Sequence, residues 1–285
     1  MKKLISLLLA VLLLATLCVP FTVSAEGNVI SGQVLNSITE EEETGLGVAF
    51  LYTMNLKNTV HHSNRTFVSA DIDGTDYKVV KLGAIVTNVE ETGKDANAMV
   101  LENVNGIRLL NVNATRLWSW DENQLQYAVR VTKVPEDQKK TKLYARPYYI
   151  YVKDGEEVVV YGDVTSKSHY SVWCDNNPVD LPAVGTDIDV AKKKNRIHVS
   201  AAKIEDRTVT LTFKNGTTNW ITEETDYVVY TCYDADNKAV KTETIYIGCI
   251  DTKKNKTKSF TFDVPDETTK VALTGSKIVY WTEWT

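Results

Sequence analysis

The chain has 285 residues, of which 43% are hydrophobic and 24% are charged, and its formal net charge at pH 7 is −5. This length and composition predict one large globular domain or two smaller domains, each with a hydrophobic core of its own. A negative balance without a long basic cluster argues against nucleic acid and against an anionic membrane as the partner.

The amino-terminal segment has the layout of a secretory signal. Lys2 and Lys3 precede a nearly unbroken apolar run from Leu4 to Leu17, and small residues lead up to Ala25. A short positive region, an apolar run and a small-residue cleavage site are typical of a signal peptide. The run is shorter than the ~20 apolar residues that a membrane-spanning helix needs, which disfavours the alternative of an uncleaved anchor. We expect residues 1–25 to be removed and the mature protein to be secreted, without a transmembrane segment.

Alternation with a period of two dominates the chain after the first 45 residues. In the run Thr208–Phe213, threonines at even positions alternate with valine, leucine and phenylalanine at odd positions, and Gln124–Thr132 alternates in the same way. Such runs predict strands with one wet and one dry face. Asp73-Gly74 and Asp154-Gly155 are hairpin turn signals between such runs. We therefore predict an all-β fold of two antiparallel β-sandwich domains, the second of them immunoglobulin-like.

The breaks in the alternation predict the domain organisation. Residues 26–45 are polar and contain the acidic run Glu40–Glu43, so we expect a flexible lead-in there. The first sandwich is predicted over 46–178 and the second over 196–285. Between them, residues 179–195 are rich in lysine and punctuated by proline and glycine, which is typical of a linker.

Three cysteines remain after the signal segment: Cys174, Cys232 and Cys249. An odd number in an exported chain means that at least one is unpaired or bonded to another molecule. A hairpin turn at Asp236-Asn237 would place Cys232 opposite Lys241, far from Cys249 along the strand. We expect buried apolar thiols, with the disulfide state left open.

One stretch carries a resemblance to a known group of proteins. Tyr144-Ala145-Arg146-Pro147-Tyr148-Tyr149, followed by Val158–Gly162, resembles β-rich modules in secreted or cell-surface proteins of clostridia and related Gram-positive gut bacteria. The likeness covers roughly Leu46–Ser171, and the second domain is similar in layout to small extracellular immunoglobulin-like modules. The resemblance implies an exported location and a β architecture, and it implies no activity. Without a sortase-type tail after Gly275, association with the cell surface is expected to be non-covalent.

Motifs for catalysis and for metal binding are weak. The histidines are His61, His62, His169 and His198. No serine stands in a Gly-x-Ser-x-Gly elbow, and neighbouring histidines on a strand point to opposite faces. Asp71, Asp73 and Asp76 surround Gly74, but this glycine comes too early for a helix-loop-helix calcium loop. We predict no catalytic residue, no metal site and no cofactor.

Aromatic pairs give the strongest hint of a binding site. Trp118 and Trp120 share one face of a predicted strand, and Tyr149 and Tyr151 share a face of another. Aromatic rings on a sheet can stack on sugars and are enriched at binding surfaces. The same pattern is also that of ordinary sandwich-core residues. These four residues are the predicted ligand-binding site, with core packing as the alternative.

Two function classes follow from these observations. The first is a non-enzymatic extracellular binding or structural module whose partner is a glycan or another cell-envelope protein. The second is a small secreted hydrolase, glycosidase-like, that uses paired carboxylates. Such an enzyme needs two carboxyl groups ~5–10 Å apart in a cleft, a separation that only a structure can reveal.

The carboxyl-terminal residues read as one last strand. Lys277–Trp284 follows Gly275-Ser276, which is a turn signal. Both alternating sets of this segment contain aromatic residues, so neither face is predicted to be wet. The segment is expected either to lie centrally in the second sandwich or to present one face to a partner.

Overall fold

The computed structural model divides the chain into two units, Met1–His169 and Tyr170–Thr285. The described residues are 31–38, 46–54, 57–58, 68–72, 74–114, 116–121, 124–190, 197–216, 220–222, 224–250 and 257–282. The predicted signal segment 1–25 lies outside them. No helix among these residues is long and apolar enough to cross a lipid bilayer.

Unit 1 is built almost entirely from strands. They are β1 (Ser31–Ile38), β2 (Leu46–Met54), β3 (Lys57–Asn58), β4 (Val68–Ile72), β5 (Thr75–Thr87), β6 (Leu110–Asn113), β7 (Arg116–Asp121), β8 (Gln124–Val134), β9 (Leu143–Lys153), β10 (Glu156–Tyr161) and β11 (Thr165–Lys167). A short helix α1 (Glu90–Lys94) and single 3-10 turns at Leu101–Asn103 and Glu136–Gln138 lie between strands.

The strands of unit 1 form two antiparallel sheets. One has the order β1-β2-β8-β7, and the other has the order β10-β9-β5-β4-β3, with β6 beside β5 and β11 beside β9. Strand β1 lies within the predicted lead-in 26–45, so that prediction is wrong for Ser31–Ile38. The backbone of this segment pairs with β2 on both sides of an irregularity at Asn36, which supplies hydrogen-bond partners that a flexible segment would take from water.

Buried tyrosines join the two sheets of unit 1. The hydroxyl of Tyr52 on β2 donates to the carbonyl oxygen of Ala145 at 3.4 Å, and that of Tyr127 on β8 donates to the carbonyl oxygen of Gly83 at 2.9 Å. Both tyrosines are fully buried. Because buried hydroxyl groups need partners, these bonds fix the two sheets face to face in a sandwich.

These tyrosines make the stability of unit 1 sensitive to alkali. Burial raises the pKa of Tyr52 and of Tyr127 above the ordinary value of 10.0. Above pH ~10 the unfolded chain loses protons that the folded chain still holds, so stability should fall as pH rises. Below that pH the contribution is constant. Urea unfolding midpoints between pH 8 and 11 should show the fall, and it should be smaller in the double variant Tyr52→Phe/Tyr127→Phe. An equal fall in the double variant would assign the effect to other groups.

The outer face of the second sheet is covered by the segment before β6. Tyr144, Tyr148 and Ile150 on β9 pack there against Met99 and Leu109. As a result β9 is buried on both faces.

Arg146, within the stretch that resembles the clostridial modules, holds this covering segment. Its Nε donates to the carbonyl oxygen of Gly162 at 3.0 Å, and its guanidinium lies 4.6 Å from the ring centre of Tyr161. Its Nη1 donates to the carbonyl oxygens of Ala96 and Met99. These partners are all within the protein, so Arg146 has a structural role in the fold.

Unit 2 contains the remaining elements. They are α2 (His169–Asn176, of which all but the first residue belong to this unit), β12 (Ile197–Glu205), β13 (Thr208–Asn215), β14 (Trp220–Thr222), β15 (Tyr227–Tyr233), β16 (Ala239–Tyr246), β17 (Thr257–Asp263), β18 (Lys270–Lys277) and β19 (Tyr280–Thr282). The sheets have the orders β12-β13-β17, β16-β15-β18 and β14-β19.

The two larger sheets of unit 2 share one hydrophobic core. Leu211 and Phe213 on β13 and Val228, Tyr230 and Cys232 on β15 all belong to it, and each is at most 1% exposed. The alternate residues of these strands point away from the core, so each sheet has one face on the core and one outer face, as in an antiparallel sandwich. The prediction of an all-β fold is confirmed, and the immunoglobulin-like detail of this unit stays a prediction.

The segment predicted as a linker, 179–195, differs from the structure over its described part. Val179 and Ile188 are buried in the core of unit 2. The backbone of Asp180 bonds to the loop before β18 and to β18 itself, and the amide of Ile188 donates to the carbonyl oxygen of Ile197 on β12 at 3.0 Å. The boundary between the units therefore falls at the start of α2, because these residues pack and pair with strands of unit 2.

The end of the chain also differs from its prediction. Gly275 and Ser276 lie inside β18 rather than in a turn, and β19 pairs with β14 instead of extending the larger sheets. Between β18 and β19, the amide of Val279 donates to both carboxylate oxygens of Asp226, at 3.0 and 3.1 Å. Asp226 is fully buried. Its carboxylate thus ties the last turn into the core, where an unpaired amide would be costly.

Candidate functional site

Two of the predicted ligand-binding aromatics are core residues. Tyr149 is 1% exposed and Tyr151 is 5% exposed. The ring of Tyr151 packs 5.2 Å from that of Tyr77 and 6.2 Å from that of Tyr149. Because β9 is covered on both faces, neither ring can stack on a sugar, so their prediction as a binding platform is wrong and the core alternative holds.

The other predicted pair lies on β7. Trp118 pairs with Gln126 of β8 in the backbone register, and Trp120 is in the same strand. Their side chains are outside the described part of the structure. For these two residues the binding role stays a prediction.

The cysteines adopt three different environments. Cys232 is buried, as predicted, and burial raises the pKa of its thiol. Cys174 is partly exposed and Cys249 is exposed, so the expectation of buried thiols is wrong for Cys249. All three are free thiols. Within the described ranges, no group of three or more histidines, cysteines and carboxylates is placed to hold a metal ion.

The outer face of the sheet β12-β13-β17 in unit 2 is an ordered polar surface. We call it the polar grid, because the strand registers align its side chains in three rows across the three strands. The rows are Glu205–Thr208–Asp263, Lys203–Thr210–Thr261 and Ala201–Thr212–Ser259. Opposite residues in adjacent antiparallel strands have Cβ atoms about 4.5–5.5 Å apart, so neighbours in a row are within contact.

The inner face of β13 fixes the orientation of the grid. Val209, Leu211 and Phe213 are completely buried in the core of unit 2. Since successive side chains point to opposite faces of a strand, Thr208, Thr210 and Thr212 must point outward. The side chains of the grid are accordingly half-buried or exposed.

Hydroxyl groups are paired along the grid. The Oγ atoms of Thr212 and Ser259 are 2.8 Å apart and the Oγ1 atoms of Thr210 and Thr261 are 3.2 Å apart. Thr208 donates to the carboxylate of Asp263 at 2.7 Å. A hydroxyl group has one donor and two acceptor positions, so each hydroxyl pair leaves one donor and several acceptors for a ligand. The pairing also holds the side chains in defined rotamers before a ligand arrives.

A recess of about 280 Å³ lies at the hairpin end of the grid. It is lined by Lys203, Glu205, Asp206, Thr208 and Thr210. The recess is open to solvent and offers one ammonium group, two carboxylates and two hydroxyls. These groups can both donate hydrogen bonds to a polar ligand and accept hydrogen bonds from it.

Two carboxyl groups elsewhere have shifted pKa values. A hydrogen bond from the Tyr230 hydroxyl, at 2.8 Å, is the main cause that lowers the pKa of Glu243. The hydrogen bond from Lys94 lowers the pKa of Glu90. A general acid in a glycosidase needs a raised pKa, so neither group suits that role.

The sequence contains one signal for the polar grid, which is the alternation of threonine with apolar residues in β13. The threonines of Thr208–Phe213 were predicted to form the wet face of a strand, and they do. Nothing in one strand indicates which other strands lie beside it. The register with Lys203 and Glu205 on one side, and with Ser259 and Thr261 on the other, becomes visible only in the folded sheet.

The chain has no match among protein-family models or among curated proteins. Among solved structures it is similar to a DUF4785 family protein from Legionella pneumophila, with 11% sequence identity and a TM-score of 0.25. The match covers 90% of this chain and 54% of that protein, so the chain spans about half of its length. A TM-score this low establishes neither a shared fold nor a shared function.

Proposed function

We propose that this protein is a secreted, non-enzymatic binding protein of the cell exterior, and that the polar grid of unit 2 binds a hydroxyl-rich glycan. The observation that carries the proposal is the row-by-row pairing of hydroxyl groups on β13 and β17. The proposed export rests on the signal-like segment 1–25, and the proposed surface location on the resemblance of Leu46–Ser171 to clostridial surface modules.

A glycan suits the grid better than a protein partner does. The grid has no large apolar residue, whereas the centre of a protein interface is enriched in aromatic and apolar side chains. A polysaccharide presents hydroxyl groups at regular intervals along an extended chain, and the grid presents hydroxyl groups at the spacing of strand residues. The recess lined by Lys203, Glu205 and Asp206 would bind the most polar part of the ligand.

The test is affinity gel electrophoresis of the full chain against hydroxyethylcellulose, xylan and galactomannan. We expect at least one polysaccharide to retard the protein. The double variant Thr210→Val/Thr212→Val removes two hydroxyls while keeping β-branched side chains that suit a strand. At about 1 kcal/mol per hydrogen bond, it should weaken binding by about tenfold or more.

The matched control is Thr244→Val, an exposed threonine of strand β16 in the other sheet. It should bind like the parent protein. Retardation by none of the three polysaccharides, or equal retardation of parent and double variant, would contradict the proposal. The hydrolase alternative would be favoured if the parent protein released reducing ends from a polysaccharide and a Glu205→Gln variant did not. Glu205 and Asp206 both line the recess and would be the paired carboxylates.

A further inference from the structure

The hairpin turn that ends the recess has an unusual sequence for its shape. Asp206 and Arg207 connect β12 and β13, and their φ angles are 48° and 64°. A two-residue turn with both φ angles positive favours Asn-Gly or Asp-Gly, because a side chain at the second position is strained there. Arginine therefore occupies a position at which glycine would fit with less strain.

The side chain of Arg207 makes the contacts that offset this strain. It is 4% exposed. Its Nη1 donates to the carbonyl oxygen of Thr268 at 2.6 Å, and its guanidinium lies 4.8 Å from the ring centre of Trp173 on α2. Its own carbonyl oxygen accepts from the amide of Val264 at 2.9 Å. One residue thus joins the turn, helix α2 and the connection between β17 and β18.

Helix α2 is fastened to the same end of unit 2 by a second contact. The ring of Tyr170 stacks on that of Trp173 at 5.7 Å, and its hydroxyl donates to the carboxylate of Asp266. A shift of α2 would therefore move Trp173 away from the guanidinium of Arg207. Within the described residues, the Nε of Arg207 has no hydrogen-bond partner, so its burial costs free energy that the other contacts of the guanidinium must offset.

We infer that Arg207 is a positioning residue that couples helix α2 to the recess, holding the turn so that Glu205 and Asp206 face a ligand. Strained backbone at a non-glycine residue is concentrated at functional sites, and here the strained turn supplies two of the lining residues. The inference rests on the proposed function for the identity of the ligand, while the coupling itself can be tested without one.

Hydrogen exchange of the full chain, read at the amides of Thr208 and Val264, tests the coupling. Trp173→Ala removes the ring beneath the guanidinium without touching the polar grid. We expect exchange at both amides to accelerate by about tenfold, because the variant loses one cation–π contact that is shielded from water. Arg207→Gly should also accelerate exchange, although glycine suits the turn. Arg207→Lys keeps the positive charge and one donor nitrogen and should restore most of the protection. Exchange at the core amide of Tyr230 should stay unchanged in all three variants.

Unchanged exchange at Thr208 and Val264 in Trp173→Ala would overturn the inference, as would slower exchange in Arg207→Gly. Equal acceleration at Tyr230 would also overturn it, because the effect would then be global unfolding. The second arm repeats the electrophoresis with hydroxyethylcellulose, xylan and galactomannan, where Trp173→Ala should bind about tenfold more weakly. If the parent chain binds none of these polysaccharides while exchange responds as expected, the proposed function fails and the coupling stands.

Discussion

Replacing Phe213 by alanine should lower the free energy of unfolding of unit 2 by about 3–5 kcal/mol. The side chain is completely buried and contacts the ring of Phe260 at 5.7 Å between ring centres. The change removes its transfer free energy and leaves a cavity between two sheets that can relax only partly. Two measurements on the full chain would give the loss: urea unfolding, and hydrogen exchange at amides of β13 and β15.

The neighbouring residue supplies a control. Thr212→Ala lies on the same strand but on the outer face, where it loses one hydroxyl pair and little packing. We expect a loss of about 1 kcal/mol or less. Equal losses for the two variants would mean that the sheets of unit 2 do not share a packed core.

Adding a single methyl group at Gly83 should destabilise unit 1 by about 1–3 kcal/mol or more. A Cβ atom at this position would lie 2.7 Å from the carbonyl oxygen of Val112 and 2.7 Å from the hydroxyl oxygen of Tyr148. The first is backbone of the neighbouring strand β6. The second belongs to a completely buried side chain that bonds to Asn111. Neither can move without disturbing the sheet. Thermal unfolding of Gly83→Ala would show the effect as a lower melting temperature.

Gly275 is the matched comparison, because it is also a strand glycine. A Cβ atom there would meet Val229 at 3.5 and 3.6 Å, which is ordinary contact. Gly275→Ala should change stability by about 0.5 kcal/mol or less. A melting temperature for Gly83→Ala equal to that of Gly275→Ala would refute the close approach of β5, β6 and β9.

The fold could be predicted where polar and apolar residues alternate or where a turn has one dominant solution. The run Thr208–Phe213 lies in β13 and has the expected faces. Asp154 and Gly155, with φ angles of 52° and 86°, close the hairpin of β9 and β10 as predicted. The segment 179–190 could not be predicted in this way, since Pro182 and Gly185 disrupt its pattern. Its partners are strands whose position depends on the whole sandwich.

The candidate site was harder to predict because a period of two indicates that residues share a face without indicating which face is wet. In β9 the run Tyr148–Val152 has no polar residue in either alternating set, which is typical of a strand covered on both sides. That signal was available and favours core packing for Tyr149 and Tyr151. The polar grid depends on the two registers that align three strands, and one strand does not contain that information.

The segment 179–188 has a further consequence for how unit 2 behaves in solution. Asp180 forms a bridge with Lys270 at the outer side of β18, and Thr186 and Ile188 bond to the outer side of β12. Unpaired strand edges recruit strands from other molecules and lead to aggregation. At these two places the edge is already occupied by the chain itself. A stretch with the composition of a linker therefore covers one end of the open edges of β12 and β18, where the strand of another molecule could otherwise pair.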